Sequence, residues 1–222
     1  MPRRAPSHAG PRAGTVRSGH LRRALAQEAA RIMSEHGIHD FLTAKRKAAE
    51  RLGVTDASAL PRNVEIEEAL AEYQRLFDAD GHEQSLDEQR RAALRAKHWL
   101  AQFEPRLVGP VLSGTATEHA DIQLHVFTDR PENIALQLID RGIAHEITER
   151  RVRLDAERVK AYPGVRFEVA NRRIEATVFP RDGIRQAPVS PVDGRPMRRA
   201  DASQLAALLQ TDAPPQSPHA SL

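Results

Sequence analysis

The sequence predicts an α+β protein, in which a helical unit precedes a mixed β-sheet with helices packed on it. Before Pro105, apolar residues recur every three or four positions, which is typical of amphipathic helices. After Pro105, short segments alternate apolar and polar residues and predict the order strand, strand, helix, strand, strand, strand. A chain of 222 residues is long enough to bury one sizeable core or two small ones.

The composition excludes several classes of protein. Mean hydropathy is -0.54 and 28% of residues are charged, and no run of about 18 apolar residues predicts a membrane helix. The absence of cysteine excludes disulfides, thiolate zinc sites and cysteine nucleophiles. The basic N-terminus is not followed by the apolar segment of a secretory signal. We therefore expect a cytoplasmic protein without membrane contact.

The two ends of the chain are predicted to be disordered tails. Residues 1–19 are rich in Pro, Gly, Arg and Ser. Six arginines and no acid lie in residues 1–23, so the remainder carries 27 basic and 30 acidic side chains. The body is therefore not a generally basic nucleic-acid binder. The arginine-rich tail is a candidate for electrostatic contact with nucleic acid, and a solvated tail without a partner is the alternative.

Four helices are predicted over residues 20–104. The side chain of Asp40 is suited to cap the second helix. A turn is expected at Gly81, and Ser85 with Glu88 matches the capping box that opens a fourth helix. Together these helices form the predicted helical unit.

Two features of this unit have a sharper and a plainer interpretation. The basic segment 44–54 could be a DNA-contacting helix of a helix-turn-helix, but the segment after it is long for that turn. An amphipathic helix with a solvated basic face is favoured. His36 and His39 have a spacing that suits a metal, but they lie at a predicted helix end without a third ligand nearby. They are interpreted as surface histidines.

The sheet domain is predicted over residues 105–182. Pro131 suits the first turn of its helix, and Asn171 suits the turn of a hairpin, because asparagine tolerates positive φ. The third strand is the most polar and is expected near an edge. Residues 183–222 follow as a Pro-rich strap, a short helix at 202–209 and the C-terminal tail. Strands are expected at 106–112, 120–127, 145–154, 165–169 and 173–179.

Polar residues alternate with apolar ones in the second strand, which follows a small-residue loop at Gly114 and Thr115. Period-two alternation places Ile122, Leu124 and Val126 on one side of this strand. The other side carries Asp121, Gln123, His125 and Phe127. A small-residue loop between two strands, with polar groups on one face, is typical of a phosphate or metal site.

This arrangement resembles the core of the DNA polymerase beta-type nucleotidyltransferase superfamily. That family has an apolar strand, then Gly-Gly or Gly-Ser, then a strand reading Asp-apolar-Asp or Asp-apolar-Glu, with a third acid on a neighbouring strand. The resemblance covers residues 106–180 and implies a nucleotidyltransferase-like α/β core. It implies a nucleoside triphosphate and Mg²⁺ as ligands, because two acids on one strand face can hold the ions that stabilise an in-line transfer.

The resemblance also implies roles for single residues. Gly114 and Thr115 match the pair that contacts phosphates, and Asp121 matches the first metal-binding acid. Glu175 is the candidate third acid, which binds metal or deprotonates the incoming hydroxyl. Gln123 stands at the second acid position and is neutral, so it would be a nucleotide contact.

Three departures leave the activity open. Gln123 lacks the charge of an acid, and the gap from Gly114 to Asp121 is shorter than is usual in the family. His125 shares the strand face, and a set of Asp121, His125 and Glu175 would suit Zn²⁺ or Mn²⁺ better than Mg²⁺. One hypothesis is an enzyme that transfers a nucleotidyl group to an unknown acceptor. The other is a catalytically inactive module of the same fold that binds a nucleotide or a protein partner.

Overall fold

A computed structural model of the chain describes residues 13–155 and 157–211. The chain divides into two compact units, Met1–Tyr73 and Gln74–Leu222. In the described part, seven α-helices and a five-stranded mixed sheet confirm the predicted α+β class. Among the described residues, no helix combines the length and apolar character needed to cross a membrane.

Three helices build the first unit. They are α1 (Ala13–His36), α2 (Phe41–Arg51) and α3 (Asn63–Phe77), whose last turn extends past the boundary. Asp40 caps α2 as predicted, since its carboxylate accepts a hydrogen bond from the Thr43 N–H at 2.7 Å. The core of this unit consists of small and branched apolar side chains, including Leu25, Ala29, Ile32, Ala44, Ala48 and Ile66.

The helix α1 begins earlier than predicted. Residues 13–19, expected to be disordered, belong to α1. The rest of the predicted N-terminal tail, residues 1–12, and the predicted C-terminal tail, residues 212–222, lie outside the described residues.

The fourth helix differs from its prediction in both its start and its neighbours. Because α4 (Ala79–Trp99) begins directly after Asp78, Gly81 and Ser85 lie inside it and the predicted turn and capping box are wrong. Glu88 instead pairs with Arg172 at 2.8 Å. The apolar side of α4 packs in the core of the sheet domain, so the boundary between the units falls at 73/74 and not after residue 104.

The sheet has the order β1-β2-β5-β4-β3. Only β2 and β5 are parallel, and β3 is an edge strand as its polarity predicted. β1 is shorter than predicted because Gly109, with a φ of 72°, ends it and Pro110 starts α5 (Pro110–Ser113). The strands are β1 (Arg106–Val108), β2 (Ile122–Phe127), β3 (His145–Arg153), β4 (Val159–Val169) and β5 (Arg172–Phe179).

The hairpin between β4 and β5 confirms its predicted turn. Ala170 and Asn171 have φ values of 50° and 59°, as a tight two-residue turn requires. β4 starts at Val159, six residues before the predicted strand.

The two faces of the sheet differ in chemistry. One face carries Ile122, Leu124, Ile174 and Ala176, and it forms a core with α4, α6 (Glu132–Asp140) and α7 (Ala202–Thr211). We call the other side the polar face, since it carries Gln123, His125, Arg150, Arg166, Arg173 and Glu175.

The strap, residues 185–200, connects the two ends of the sheet. Near its start, the Val189 N–H donates to the carbonyl of Arg153 at the end of β3. At its other end, Ala200 exchanges two backbone hydrogen bonds with Leu107 of β1, at 2.8 and 2.9 Å. The strap therefore runs from one edge strand of the sheet to the other.

Candidate functional site

The parallel pairing of β2 and β5 brings predicted site residues to one face. Gln123 is the register partner of Glu175, and His125 is the partner of Thr177. Since side chains of paired residues point to the same side of a sheet, these groups share the polar face. Asp121 directly precedes β2 and lies on the same face, where its carboxylate pairs with Arg173 of β5.

The carboxylate of Asp121 is held by an arginine of β5. Its Oδ1 lies 2.9 Å from Arg173 Nε. The Arg173 side chain is 53% exposed and that of Asp121 24%, so the guanidinium is open to solvent while it holds the acid.

Glu175 is more deeply buried and pairs with two arginines. Its side chain is 5% exposed, with Oε2 at 3.2 Å from Arg150 Nη1 and Oε1 at 3.4 Å from Arg166 Nη2. Arg166 also contacts Glu146, at 3.1 Å. These four residues form a chain of alternating charges across three strands, and both carboxylate oxygens of Glu175 are used in it.

His125 is buried and uncharged. Its Nδ1 accepts a hydrogen bond from Arg199 Nε at 3.1 Å. Burial, with the positive charges of Arg199 and Arg150, lowers the pKa of His125 to about 3. The nitrogen that accepts from Arg199 is thereby committed to the strap and not offered to a metal ion.

Arg199 lies at the centre of the contact between the strap and the polar face. Its guanidinium carbon lies 5.0 Å from the ring centroid of Phe127 and 5.5 Å from that of Phe179. Its Nη1 donates to the carbonyls of Gly183 and Ile184. Burial lowers the pKa of Arg199 to about 10, which leaves it charged at neutral pH.

The predicted phosphate-contacting pair makes its contacts elsewhere. Gly114 ends α5 with a φ of 88°, and its carbonyl is 3.0 Å from His82 Nε2 of α4. The Thr115 hydroxyl is 2.9 Å from the Ser113 hydroxyl, and its carbonyl accepts from Gln74 Nε2. Gly114 therefore packs against α4, which covers the apolar face, while Asp121, Gln123, His125 and Glu175 share the polar face.

Gly109 adjoins the polar face beside Gln123, and the sequence analysis did not identify it. A Cβ added at Gly109 would lie 2.8 Å from Gln123 Oε1, and its φ of 72° also favours glycine. The sequence contains a signal for it, because Gly109 and Pro110 interrupt an apolar run where a strand has to end. Two glycines thus flank α5, and only the first contacts the candidate site.

The acids of the polar face do not suit Mg²⁺. In the described ranges, no group of three or more His, Cys, Asp or Glu side chains could hold a metal ion. Mg²⁺ requires oxygen ligands in near-octahedral geometry. The carboxylates of Asp121 and Glu175 each contact a guanidinium, and Gln123 contributes no charge.

Several polar atoms of this face have no protein partner. Arg166 Nε, Thr148 Oγ1 and Arg199 Nη2 are buried, and none has a hydrogen-bond partner within residues 13–155 and 157–211. Most buried polar atoms in proteins are hydrogen-bonded. These buried atoms are the donors and the hydroxyl of the polar face whose hydrogen bonds the described residues leave unmade.

Comparison of the chain with protein-family models, with curated proteins and with solved structures gives no match. The chemistry of the polar face is therefore the basis of the functional proposal.

Proposed function

We propose that the polar face binds a phosphate-bearing ligand, a nucleotide in the first instance, through arginine side chains and without a divalent cation. The observation that supports this proposal is that both predicted metal-binding acids are paired with arginine. Asp121 pairs with Arg173, and Glu175 pairs with Arg150 and Arg166. In this proposal the protein is a nucleotidyltransferase-like module that no longer transfers a nucleotidyl group.

Guanidinium groups are suited to this task. Each has five N–H donors in a planar fork, so one edge can hold a carboxylate while another binds a phosphate oxygen. The side chains of Arg150 and Arg173 are 43% and 53% exposed and are accessible to a ligand. The acids then serve to fix the position of the arginines.

The same pairs oppose metal-dependent transfer. A divalent cation at Asp121 or Glu175 would have to displace a guanidinium and remain beside its positive charge. Transfer by two metal ions requires acids that hold both ions. With glutamine at 123, the negative charge for the second ion is missing.

Calorimetric titration tests the proposal directly. The ligands are inorganic triphosphate and a nucleoside triphosphate, each in EDTA and in Mg²⁺. We expect binding in EDTA that Mg²⁺ does not strengthen. Arg150→Gln should weaken binding roughly tenfold, which corresponds to about 1.4 kcal/mol and is typical of a charge-assisted hydrogen bond.

Arg151→Gln is the matched control. Arg151 neighbours Arg150 in β3 but lies on the other face of the sheet, and it is exposed. Its substitution should leave the affinity unchanged. If neither triphosphate binds, or if both variants weaken binding equally, the proposal fails.

Nucleotidyl transfer with Mg²⁺ is the second candidate. The observation in its favour is the register that aligns Gln123 with Glu175 on one face, beside Asp121. Binding that requires Mg²⁺ and is abolished by Asp121→Ala would support transfer to an acceptor and overturn the metal-free proposal. The predicted contact of the N-terminal arginines with nucleic acid stays a prediction. Arg3, Arg4 and Arg12 lie outside the described ranges, and Arg17, Arg22 and Arg23 belong to α1.

A further inference from the structure

The outer edge of β3 carries backbone groups that no other described part of the chain pairs with. The N–H of Leu154 donates to the carbonyl of Arg158, and the carbonyl of Arg153 accepts from the N–H of Val189 in the strap. The backbone groups of even-numbered residues of β3 therefore point inward and bond to β4, while those of odd-numbered residues point outward, away from the sheet. The outward residues before Arg153 are His145, Ile147, Glu149 and Arg151. Within the described residues, no backbone hydrogen bond outside β3 and β4 reaches these four.

Large apolar side chains are exposed at the same edge. Ile147 of β3 is 64% exposed, and Leu136 and Ile139 of α6 are 54% and 59% exposed. α6 packs against β3, so the three belong to neighbouring elements. An open edge strand with exposed apolar residues favours pairing with another strand.

We propose that β3 pairs antiparallel with β3 of a second copy of this chain and joins the two sheets into one. Such a dimer has a two-fold axis perpendicular to the sheet. The residue on the axis faces itself. If its backbone groups point outward, as those of Ile147 and Glu149 do, it forms hydrogen bonds with its own copy, and if they point inward, as those of Thr148 do, it forms a pair without hydrogen bonds.

Charge and apolar contact distinguish the three registers. An axis at Glu149 places two carboxylates opposite each other and Ile147 opposite Arg151 of the partner subunit, and like charges in directly opposed positions destabilise a sheet. An axis at Ile147 brings the two isoleucines together and places His145 opposite Glu149 of the partner subunit. An axis at Thr148 places Ile147 opposite Glu149 of the partner subunit and leaves the apolar side chain without an apolar partner. Of the three registers, the one centred on Ile147 matches apolar with apolar and opposes no like charges.

The charges of β3 are therefore compatible with pairing. Charged side chains on an edge strand usually prevent association with another sheet. The Ile147 register aligns only residues 145–149 of each copy, and the end of β3 at Arg153 is already occupied by the strap. Pairing is thus limited to the free part of the edge.

Single cysteines test the register, since the chain has none of its own. Hydrogen-bonded antiparallel partners have Cα atoms about 5.5 Å apart, within the range of about 4.4–6.8 Å for disulfides. We expect Ile147→Cys to give a covalent dimer on oxidation. Glu149→Cys should remain uncrosslinked, because the two positions are then four residues apart, roughly 13 Å at 3.3 Å per residue.

Sedimentation velocity tests the association itself. The unmodified chain should sediment with twice the monomer mass of 24.7 kDa at sufficient concentration. Ile147→Lys should give the monomer, because two ammonium groups would meet on the axis. Val159→Lys, which alters an exposed apolar residue of β4 that lies outside the proposed contact, should leave the dimer intact.

Circular dichroism establishes that each variant is folded. A monomeric wild-type chain at every concentration overturns the proposal. It is also overturned if Glu149→Cys crosslinks while Ile147→Cys does not, or if Val159→Lys dissociates the dimer as fully as Ile147→Lys does.

Discussion

Arg150 on β3 reaches Glu175 on β5 across the intervening strand β4, with 3.2 Å between Nη1 and Oε2. Gly164 of β4 makes this possible, because a Cβ there would lie 3.4 Å from Arg150 Cγ. The side chain of the arginine thus passes over a position without a side chain. A buried acid on a central strand thereby receives a partner from an edge strand two strands away.

Gly164→Ala should destabilise the fold and displace Arg150. The added methyl would lie 2.5 Å from Thr148 Oγ1, which is closer than real Cβ contacts. We expect a loss of about 1–3 kcal/mol in the free energy of unfolding, as is usual for overpacking. Urea denaturation measures it. Adding Thr148→Ala to the variant should restore part of the loss, and a variant as stable as the wild type would contradict the assigned role of Gly164.

Glu175→Gln should destabilise the protein while preserving the size of the side chain. Arg150 and Arg166 would then lie close together without the acid that compensates their charges. Because both arginines are partly exposed, we expect about 1–3 kcal/mol. Denaturation by urea measures this loss, with Glu168→Gln, an exposed acid on β4, as the control. Equal effects of the two substitutions would show that the ion pairs of Glu175 contribute little.

Apart from the short helix α5, the sequence predicted the classes and order of the helices and strands but not the partners of the site residues. Alternation along β2 correctly separates Ile122 and Leu124 from Gln123 and His125, since successive side chains of a strand point to opposite faces. The arginine opposite each acid depends on the register between strands that are distant in sequence. Arg150 and Glu175 lie 25 positions apart, and no local pattern relates them.

The errors in the prediction have local causes. Gly109 and Gly114 both suit a turn, and only the packing of α5 distinguishes the one beside Gln123 from the one beside α4. The first half of β4 was missed because Pro163 and Gly164 are uncommon inside strands. Proline fits here because the backbone nitrogen of Pro163 faces β5, and the pairing of β4 with β5 begins only at Gly164.

Acid should weaken the fold through His125. Burial, then the charges of Arg199 and Arg150, lowers its pKa from 6.5 to about 3 in the folded state. The unfolded chain therefore binds more protons between these two values. The contribution of neutral His125 is complete above pH 6.5 and decreases as the pH falls towards 3, by about 1.4 kcal/mol per pH unit within that window.

His125→Gln isolates this contribution, because its carbonyl can still accept from Arg199 and does not titrate. Urea denaturation of both proteins at several pH values between 4 and 7 should show a smaller loss on acidification for the variant. His119→Gln, at an exposed position, is the control and should lose as much stability on acidification as the wild type. Parallel pH profiles for wild type and His125→Gln would disprove the assignment.

Alkaline pH should strengthen the fold through Lys97. Lys97 is 2% exposed, and its Nζ donates to the carbonyl of Ala200 at 2.6 Å. Burial, and to a lesser extent the charge of Arg106, lowers its pKa from 10.5 to about 8, against the opposing effect of Asp201. The unfolded chain then binds more protons between pH 8 and 10.5, so the stability due to Lys97 rises with pH across that range.

Lys97→Met removes the titrating amine from α4. The difference in unfolding free energy between wild type and variant should shift in favour of the wild type by about 1.4 kcal/mol per pH unit above pH 8. Lys47→Met, at an exposed position of α2, provides the control. The pH values 7 and 9.5 lie on the two sides of the pKa of about 8. If the difference in unfolding free energy between wild type and variant is the same at both, the buried amine of Lys97 does not lose its proton in this range.

Gln123→Glu tests whether the missing acid is what separates this face from a metal site. The new carboxylate would lie opposite its register partner Glu175 and two positions from Asp121 on the same face. Without metal, we expect a loss of about 1 kcal/mol in stability, because like charges directly opposed on neighbouring strands repel each other. Binding of inorganic triphosphate in EDTA should also weaken, since the polar face would gain a negative charge. A divalent cation that binds the new carboxylate should offset part of both losses.

Thermal unfolding with and without Mn²⁺ measures the effect on stability, and Gln186→Glu, at an exposed position of the strap, is the control. If Mn²⁺ stabilises the wild type as much as Gln123→Glu, the acids already present hold the cation, and metal-free binding by arginine is the wrong description of this face.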